Sequence, residues 1–192
     1  MSEATINPTH TNTGLDNRKL GMWIFLATEV MLFSALIGGF LSMKVRSPAD
    51  AHHVLNIPLT AVNTFILIVS STMVVMALSA IEEGDVKRLR NFMLATLLMG
   101  ATFLGIQMFE YSHLLSEGFT PAGSLFGGGF FTVTGFHGFH VLIGLIWCLR
   151  NLVMTTQGKF TQAEHVGIEV FGLYWHFVDV VWILLFTIIY LL

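Results

Sequence analysis

Five long apolar runs, separated by short polar stretches, set the plan of the chain. They are Leu20–Met43, Ile57–Ile81, Asn91–Leu115, Phe130–Cys148 (closed by Arg150) and Val166–Leu191. At 1.5 Å of rise per residue each is long enough, as a helix, to cross the roughly 30 Å hydrocarbon core of a bilayer. The few polar residues inside the runs recur at helical spacing. Thr60, Asn63, Thr64, Leu67 and Ser71 form one small polar stripe suited to interhelical hydrogen bonds. Trp175, Asp179, Trp182 and Phe186 form another, at i, i+4, i+7 and i+11, which places an acid and large aromatics on one face toward protein. The pattern predicts an all-α, polytopic membrane protein with five transmembrane helices over residues 20–43, 57–81, 91–115, 130–150 and 166–191.

The stretches between the runs set the topology. Residues 1–19 are polar and rich in Thr and Asn, and read as a short disordered lead-in. Arg18 and Lys19 precede the first run, as in a signal peptide, but that run is too long for one, contains Glu29 and is followed by no A-x-A site. The loop 44–56 carries Lys44, Arg46, Pro48 and His52-His53, and the loop 82–90 is densely charged. The connection 116–128 contains Pro121 and leads into Gly127-Gly128-Gly129, and the loop 151–165 holds Lys159 and His165. Placing the N-terminus in the cytoplasm puts Arg18, Lys19, Lys87, Arg88, Arg90, Arg150 and Lys159 inside and leaves only Lys44 and Arg46 outside. The positive-inside rule selects that orientation, with the C-terminus outside. Short connections imply antiparallel neighbours, and no fixed-period repeat is visible.

Composition narrows the class. Only 11% of the residues are charged, against about 25% in soluble domains. No room is left for a separate soluble domain. The net charge of −3, with no basic tract, gives no reason to expect nucleic-acid binding. The lone Cys148 lies within an apolar run, can form no internal disulfide and reads as packing.

The candidate chemistry lies in the ionisable residues within the runs. An Asp at mid-membrane costs about 2.5–3.5 kcal/mol on insertion scales, so each such group needs a partner. His176 and Asp179 share a face at i,i+3 and are expected to satisfy each other or a neighbouring helix, with proton relay or metal ligation as alternatives. Glu29 lies about 12 Å into the first run and has no cation near it in sequence. It is expected to hydrogen-bond a lipid or another helix, or to carry protons. Glu110 and His113, with Gln107 one turn away, sit near the end of the third run, either at the interface or in a buried polar network. His137 and His140 form another i,i+3 pair, with Gly135, Gly138 and Gly144 around them. Close helix packing suits this arrangement better than haem or metal, since a bis-His haem needs ligands from two facing helices. The expectation is that both imidazoles face the fifth run, one of them within hydrogen-bond or single-water reach of Asp179 or its neighbours. Glu110, His137, His140, His176 and Asp179 then make a buried polar network, and Gly135, Gly138, Gly144, Trp175 and Trp182 pack the helices. No catalytic residue and no metal site is expected.

The last three runs together carry a family pattern. Gln107-x-x-Glu110-Tyr111 is followed by Phe130-Phe131-x-x-Thr134-Gly135-Phe136-His137-Gly138-Phe139-His140-Val141-x-x-Gly144, and then by Tyr174-Trp175-His176-Phe177-Val178-Asp179-Val180-Val181-Trp182. Gly21-Met22-x-x-x-Leu26-x-x-Glu29-Val30-x-x-Phe33, Pro58, Asn63-Thr64 and Ser70-Ser71 add to it. The chain resembles subunit III of the haem–copper respiratory oxidases, the cytochrome c oxidase branch most closely, from about Gly21 to Tyr190. The familiar form has seven helices, two of them ahead of the one matching Gly21–Met43, so the resemblance is to the five-helix bacterial form. What replaces the wall those two helices provide is left open.

The resemblance implies a subunit of a proton-pumping cytochrome c oxidase that holds no redox centre. Haems and copper would reside in subunits I and II. The chain would pack against subunit I in the bacterial cytoplasmic membrane, beside subunit II and a small subunit IV, with structural phospholipids. Its role would be assembly, stability and proton uptake of subunit I. Glu29 matches the family glutamate that reacts with hydrophobic carbodiimides. A quinol oxidase subunit III, a haem-binding membrane cytochrome using His137, His140 and His176, and a proton-coupled transporter are the alternatives. The last is disfavoured by the lack of inverted repeats and broken helices.

Overall fold

A computed structural model describes residues 16–46 and 56–192. Most of the lead-in, together with Pro48 and His52-His53, lies outside the described residues. The chain forms α1 (Asn17–Arg46), α2 (Ile57–Glu82), α3 (Val86–Ser116), α4 (Leu125–Thr156) and α5 (Val166–Phe186), whose end widens into a π-helical turn over Thr187–Leu191. All five are long and apolar enough to cross a membrane. Among the described residues there is no β-sheet.

The helices run past the apolar stretches at several ends. Each extension has a local cause. Asp16 accepts the backbone N–H of Arg18 at 2.8 Å and opens α1. Asp85 does the same for Arg88 at 3.0 Å, so α3 begins within the charged stretch. The preceding Gly84, at φ +80°, makes the left-handed stop of α2. The triple glycine expected in a connection is helical instead. Ser124 caps α4 by accepting from Gly127 N–H at 2.9 Å. Gly129 then lies so close to α1 that a Cβ there would fall 3.0 Å from the Phe40 ring and 3.1 Å from Met43 Sδ. Small residues let this end of α4 approach its neighbour.

The packing order is a ring. α1 packs on α4, α4 on α3, α3 on α2, α2 on α5 and α5 back on α1, with α4 and α5 also in contact across the middle. α1 and α5 run parallel. Lys19 pairs with Glu169 near their N-terminal ends, and Lys44 Nζ donates to the Ile188 carbonyl, at 3.0 Å, near their C-terminal ends. The core between helices is aromatic, with Phe103, Phe130, Phe171, Trp175 and Trp182 all buried. α1 keeps the most apolar surface outward, Trp23, Ile24 and Met31 included. Such a surface suits lipid or a partner chain in the membrane. Cys148 is buried against Met93.

Candidate functional site: polar contacts inside the bundle

The expected single polar network is divided into separate contacts, each binding one helix to another. The first joins α1 to α4. His140 Nδ1 lies 2.7 Å from the Phe136 carbonyl, which can only accept, so Nδ1 carries a hydrogen. His140 Nε2 then faces Glu29 Oε2 at 3.0 Å. This contact needs one proton between the two atoms. It is either a neutral imidazole accepting from a carboxylic acid or an imidazolium donating to a carboxylate. Phe33 covers the imidazole edge-on at 5.1 Å, and Tyr174 O–H donates to the His140 carbonyl at 2.9 Å.

The second joins α2 to α5. His176 Nδ1 and Ser71 Oγ are 2.6 Å apart. Asp179 follows three residues after His176 on α5 and is buried. His176 is therefore held by a serine of another helix and not by Asp179. Asp179 Oδ1 has no partner among the described residues.

The third ties α3 to α2 and to the chain end. Hydroxyls of Thr60, at 3.1 Å, and Tyr190, at 3.3 Å, converge on Glu110 Oε1. Glu110 is buried, whereas His113 is exposed and turns to Glu117. The two residues that share a helix face in sequence thus part company, the acid buried in an interhelical contact and the histidine outside it.

His137 differs from the others. It lies flat on Trp182, with ring centroids 4.8 Å apart and planes at 28°, and edge-on to Phe103. Neither of its ring nitrogens has a partner among the described residues. It does face α5, as expected, but through stacking. His140 turns to α1 instead. Neither imidazole hydrogen-bonds Asp179, because Glu29 and the Phe136 carbonyl occupy His140 and the aromatic sandwich holds His137.

The small residues make room for particular side chains. A Cβ on Gly144 would sit 2.6 Å from the Trp175 ring, and one on Gly138 would sit 3.0 Å from Gln107 Oε1. Gln107 Nε2 uses that space to donate to the Thr134 carbonyl at 3.0 Å. Gly135 has nothing within 4 Å of its missing Cβ among the described residues, so it packs against none of the other four helices. The two tryptophans are buried and donate to α2, Trp175 to Ser70 at 3.0 Å and Trp182 to Thr64 at 2.9 Å. The sequence carried no packing role for Ser70, which enters it only as part of the family pattern, or for Tyr190 and Gly100, which also abuts Trp175. Ser70 was legible in principle, one position from the α2 stripe. Among the described residues no three His, Cys, Asp or Glu side chains converge as a metal-binding group.

Comparison with known proteins gives these contacts a context. Residues 1–192 match the family described as Cytochrome c oxidase subunit III. The chain is 40% identical, over 89% of its length and 86% of the relative's, to a Cytochrome c oxidase subunit 3 of Corynebacterium diphtheriae. It is 37% identical to a Quinol oxidase subunit 3 of Bacillus subtilis, over 90% of this chain and 86% of that one. A Cytochrome bo(3) ubiquinol oxidase subunit 3 of Pseudomonas putida is 34% identical over 90% of this chain and 84% of its own.

Proposed function

Because this chain belongs to the cytochrome c oxidase subunit III family, and so is the third subunit of a multi-subunit haem–copper oxidase, we propose that it serves an enzyme oxidising cytochrome c and reducing oxygen to water, without a redox centre of its own. In this reading haems and copper belong to subunits I and II. The chain packs against subunit I in a bacterial cytoplasmic membrane, N-terminus inside, and keeps that subunit assembled and supplied with protons. A small subunit IV and structural phospholipids complete the surroundings.

One observation carries the reading. Glu29, Glu110, His140 and His176 are each used in a contact between helices, His140 on Glu29, His176 on Ser71, and Glu110 on Thr60 and Tyr190, while His137 stacks on Trp182. Side chains committed to neighbours in this way hold a scaffold in shape. They do not converge from two helices as the axial ligands of a haem would.

A quinol donor is the second reading, favoured by the similarity to the Bacillus subtilis quinol oxidase subunit. The donor site lies on other chains in either case. Purifying the intact complex in mild detergent, identifying its companion chains and assaying both donors decides between them. Turnover with reduced cytochrome c and a copper-binding subunit II are expected. Turnover with quinol alone would transfer the chain to the second reading. A haem spectrum from the isolated polypeptide would overturn both.

A further inference from the structure

At the end of the bundle that carries Lys19, one carboxylate is shared by two basic side chains. Glu169 lies in the first turn of α5. Its Oε2 meets Lys19 Nζ of α1, and its Oε1 lies 3.2 Å from Nε2 of His165, in the loop between α4 and α5. The other imidazole nitrogen, Nδ1, lies 2.8 Å from the Gln162 carbonyl. Gln162 in turn donates from Nε2 to the Glu82 carbonyl, the last residue of α2, at 2.7 Å. One run of contacts thus links α1, α5, the loop and α2.

Both imidazole nitrogens face acceptors. A carbonyl oxygen can only accept, and so can a carboxylate paired with a lysine. Two lone pairs facing each other at 3.2 Å repel, so the arrangement requires a hydrogen on Nδ1 and another on Nε2, which makes His165 an imidazolium. The dipole of α5 opposes a cation here, because His165 directly precedes the helix and offers its own carbonyl to Ile168 N–H at 2.8 Å. Glu169 supplies the charge that offsets the dipole.

We propose that residues 157–165 form a proton-operated clasp on the first turn of α5, closed while His165 is charged and released when it is neutral. An imidazole changes charge between about pH 5 and 8. At the lower end of that interval the imidazolium draws the loop onto Glu169. As the pH on this side rises, Nε2 loses its hydrogen and turns a lone pair to the carboxylate. Attraction becomes repulsion, and the loop parts from α5. The Lys19 contact uses the other carboxylate oxygen and does not need the imidazole proton. Further charges at this end lie outside the contact. Arg18 of α1 pairs with Asp16, and Glu83, just past α2, pairs with Arg88 of α3. Arg150 of α4, with Lys159 and Glu164 of the loop, lines a separate cavity beside Arg18. The clasp rests on this chain's own contacts and stands whichever donor the oxidase uses.

Hydrogen–deuterium exchange of the intact oxidase tests it, read on peptides covering residues 160–170 and corrected for the intrinsic rate at each pH. Protection should fall about threefold between about pH 6 and pH 8.5, the scale of an interfacial ion pair. His165→Gln should be weakly protected at both pH values and show no step, and Glu169→Gln should show none either. Lys19→Met should keep the step, because it leaves the imidazole and its oxygen in place. Peptides around the buried Phe103 of α3 are the reference, and their protection should be the same throughout if each variant is folded. A step of equal size in His165→Gln would overturn the proposal, since another group would then be sensing the pH. Protection independent of pH in the wild type would overturn it as well.

Discussion

Glu29 Oε2 and His140 Nε2 lie 3.0 Å apart, and this contact fastens the middle of α1 to α4. The ends of α1 are tied separately, by Lys19 to Glu169 and by Lys44 to the Ile188 carbonyl. The Glu29 side chain is mostly buried but keeps 13% of its surface accessible. An apolar carbodiimide arriving through lipid can reach it. Dicyclohexylcarbodiimide should therefore label Glu29 in membranes of the intact complex, and Glu29→Gln should abolish the label. A mass spectrum showing no adduct at Glu29 would mean that the carboxyl is covered by a partner chain or does not hold the shared proton.

Replacing His140 by Leu removes the proton-sharing partner without shortening the side chain much. Interhelical hydrogen bonds in membranes contribute about 0.6 kcal/mol on average and at most about 1.7 kcal/mol. A buried acid left without a partner costs more than that mean, so the upper part of the range is expected. The variant should lower the temperature at which the subunit leaves the detergent-solubilised complex, while oxygen reduction by complexes that keep it is little changed. An equal loss of turnover at full subunit content would point to a direct role in proton delivery.

Asp179 gives a contrasting case. It is buried on α5, and its Oδ1 has no partner among the described residues. Asp179→Leu substitutes an apolar side chain of similar size, so α5 still fits, but the carboxyl is no longer available to water or to a partner chain of the oxidase. Assembly is expected to suffer more than chemistry, with less of the subunit co-purifying and near-normal turnover per retained complex. Full subunit content with oxygen reduction lost outright would contradict the scaffold reading.

The two donors on Glu110 predict a particular form of non-additivity. Thr60 and Tyr190 hydroxyls reach the same oxygen. Removing either one leaves the other in place, so Thr60→Val and Tyr190→Phe should each cost well under 1 kcal/mol. The double variant leaves a buried carboxyl oxygen with neither donor and should cost more than the sum, by about 0.5 kcal/mol or more. A double-mutant cycle on the unfolding or dissociation temperature reads this directly. Strict additivity would mean that water or a partner chain replaces the hydroxyls.

These contacts show what a sequence of this kind can and cannot disclose. The five spans were legible because a bilayer demands long uninterrupted apolar helices, and that demand is written residue by residue. The stripe Trp175–Asp179–Trp182 was legible because helical period alone fixes which residues share a face. Partner choice was not. His137 and His140 share a face in projection, yet one stacks on Trp182 of α5 and the other bonds Glu29 of α1. The ring order of the helices places two different neighbours on either side of α4, and nothing local in the sequence encodes that order. The glycine-rich start of α4 was misjudged for the same reason. Glycine weakens a helix in isolation, but here it lets α4 approach Phe40 and Met43 of α1.

The glycines of α4 supply the sharpest contrast available within one helix. A Cβ at Gly144 would lie 2.6 and 2.8 Å from two ring atoms of Trp175 and 3.3 Å from Tyr174. Trp175 cannot yield easily, since it is fully buried, anchored by its N–H to Ser70, and pressed from the α3 side by Gly100. Gly144→Ala should therefore overpack the α4–α5 contact and cost about 1–3 kcal/mol. Gly135→Ala adds the same methyl group to the same helix where nothing lies within 4 Å. Relief of glycine's helix penalty should make it neutral or stabilising by up to about 1 kcal/mol. Thermal dissociation of the two variants from the complex should move in opposite directions. A loss at Gly135→Ala comparable to that at Gly144→Ala would show that the outer face of α4 is covered in the assembled oxidase, and would place a neighbouring subunit against it.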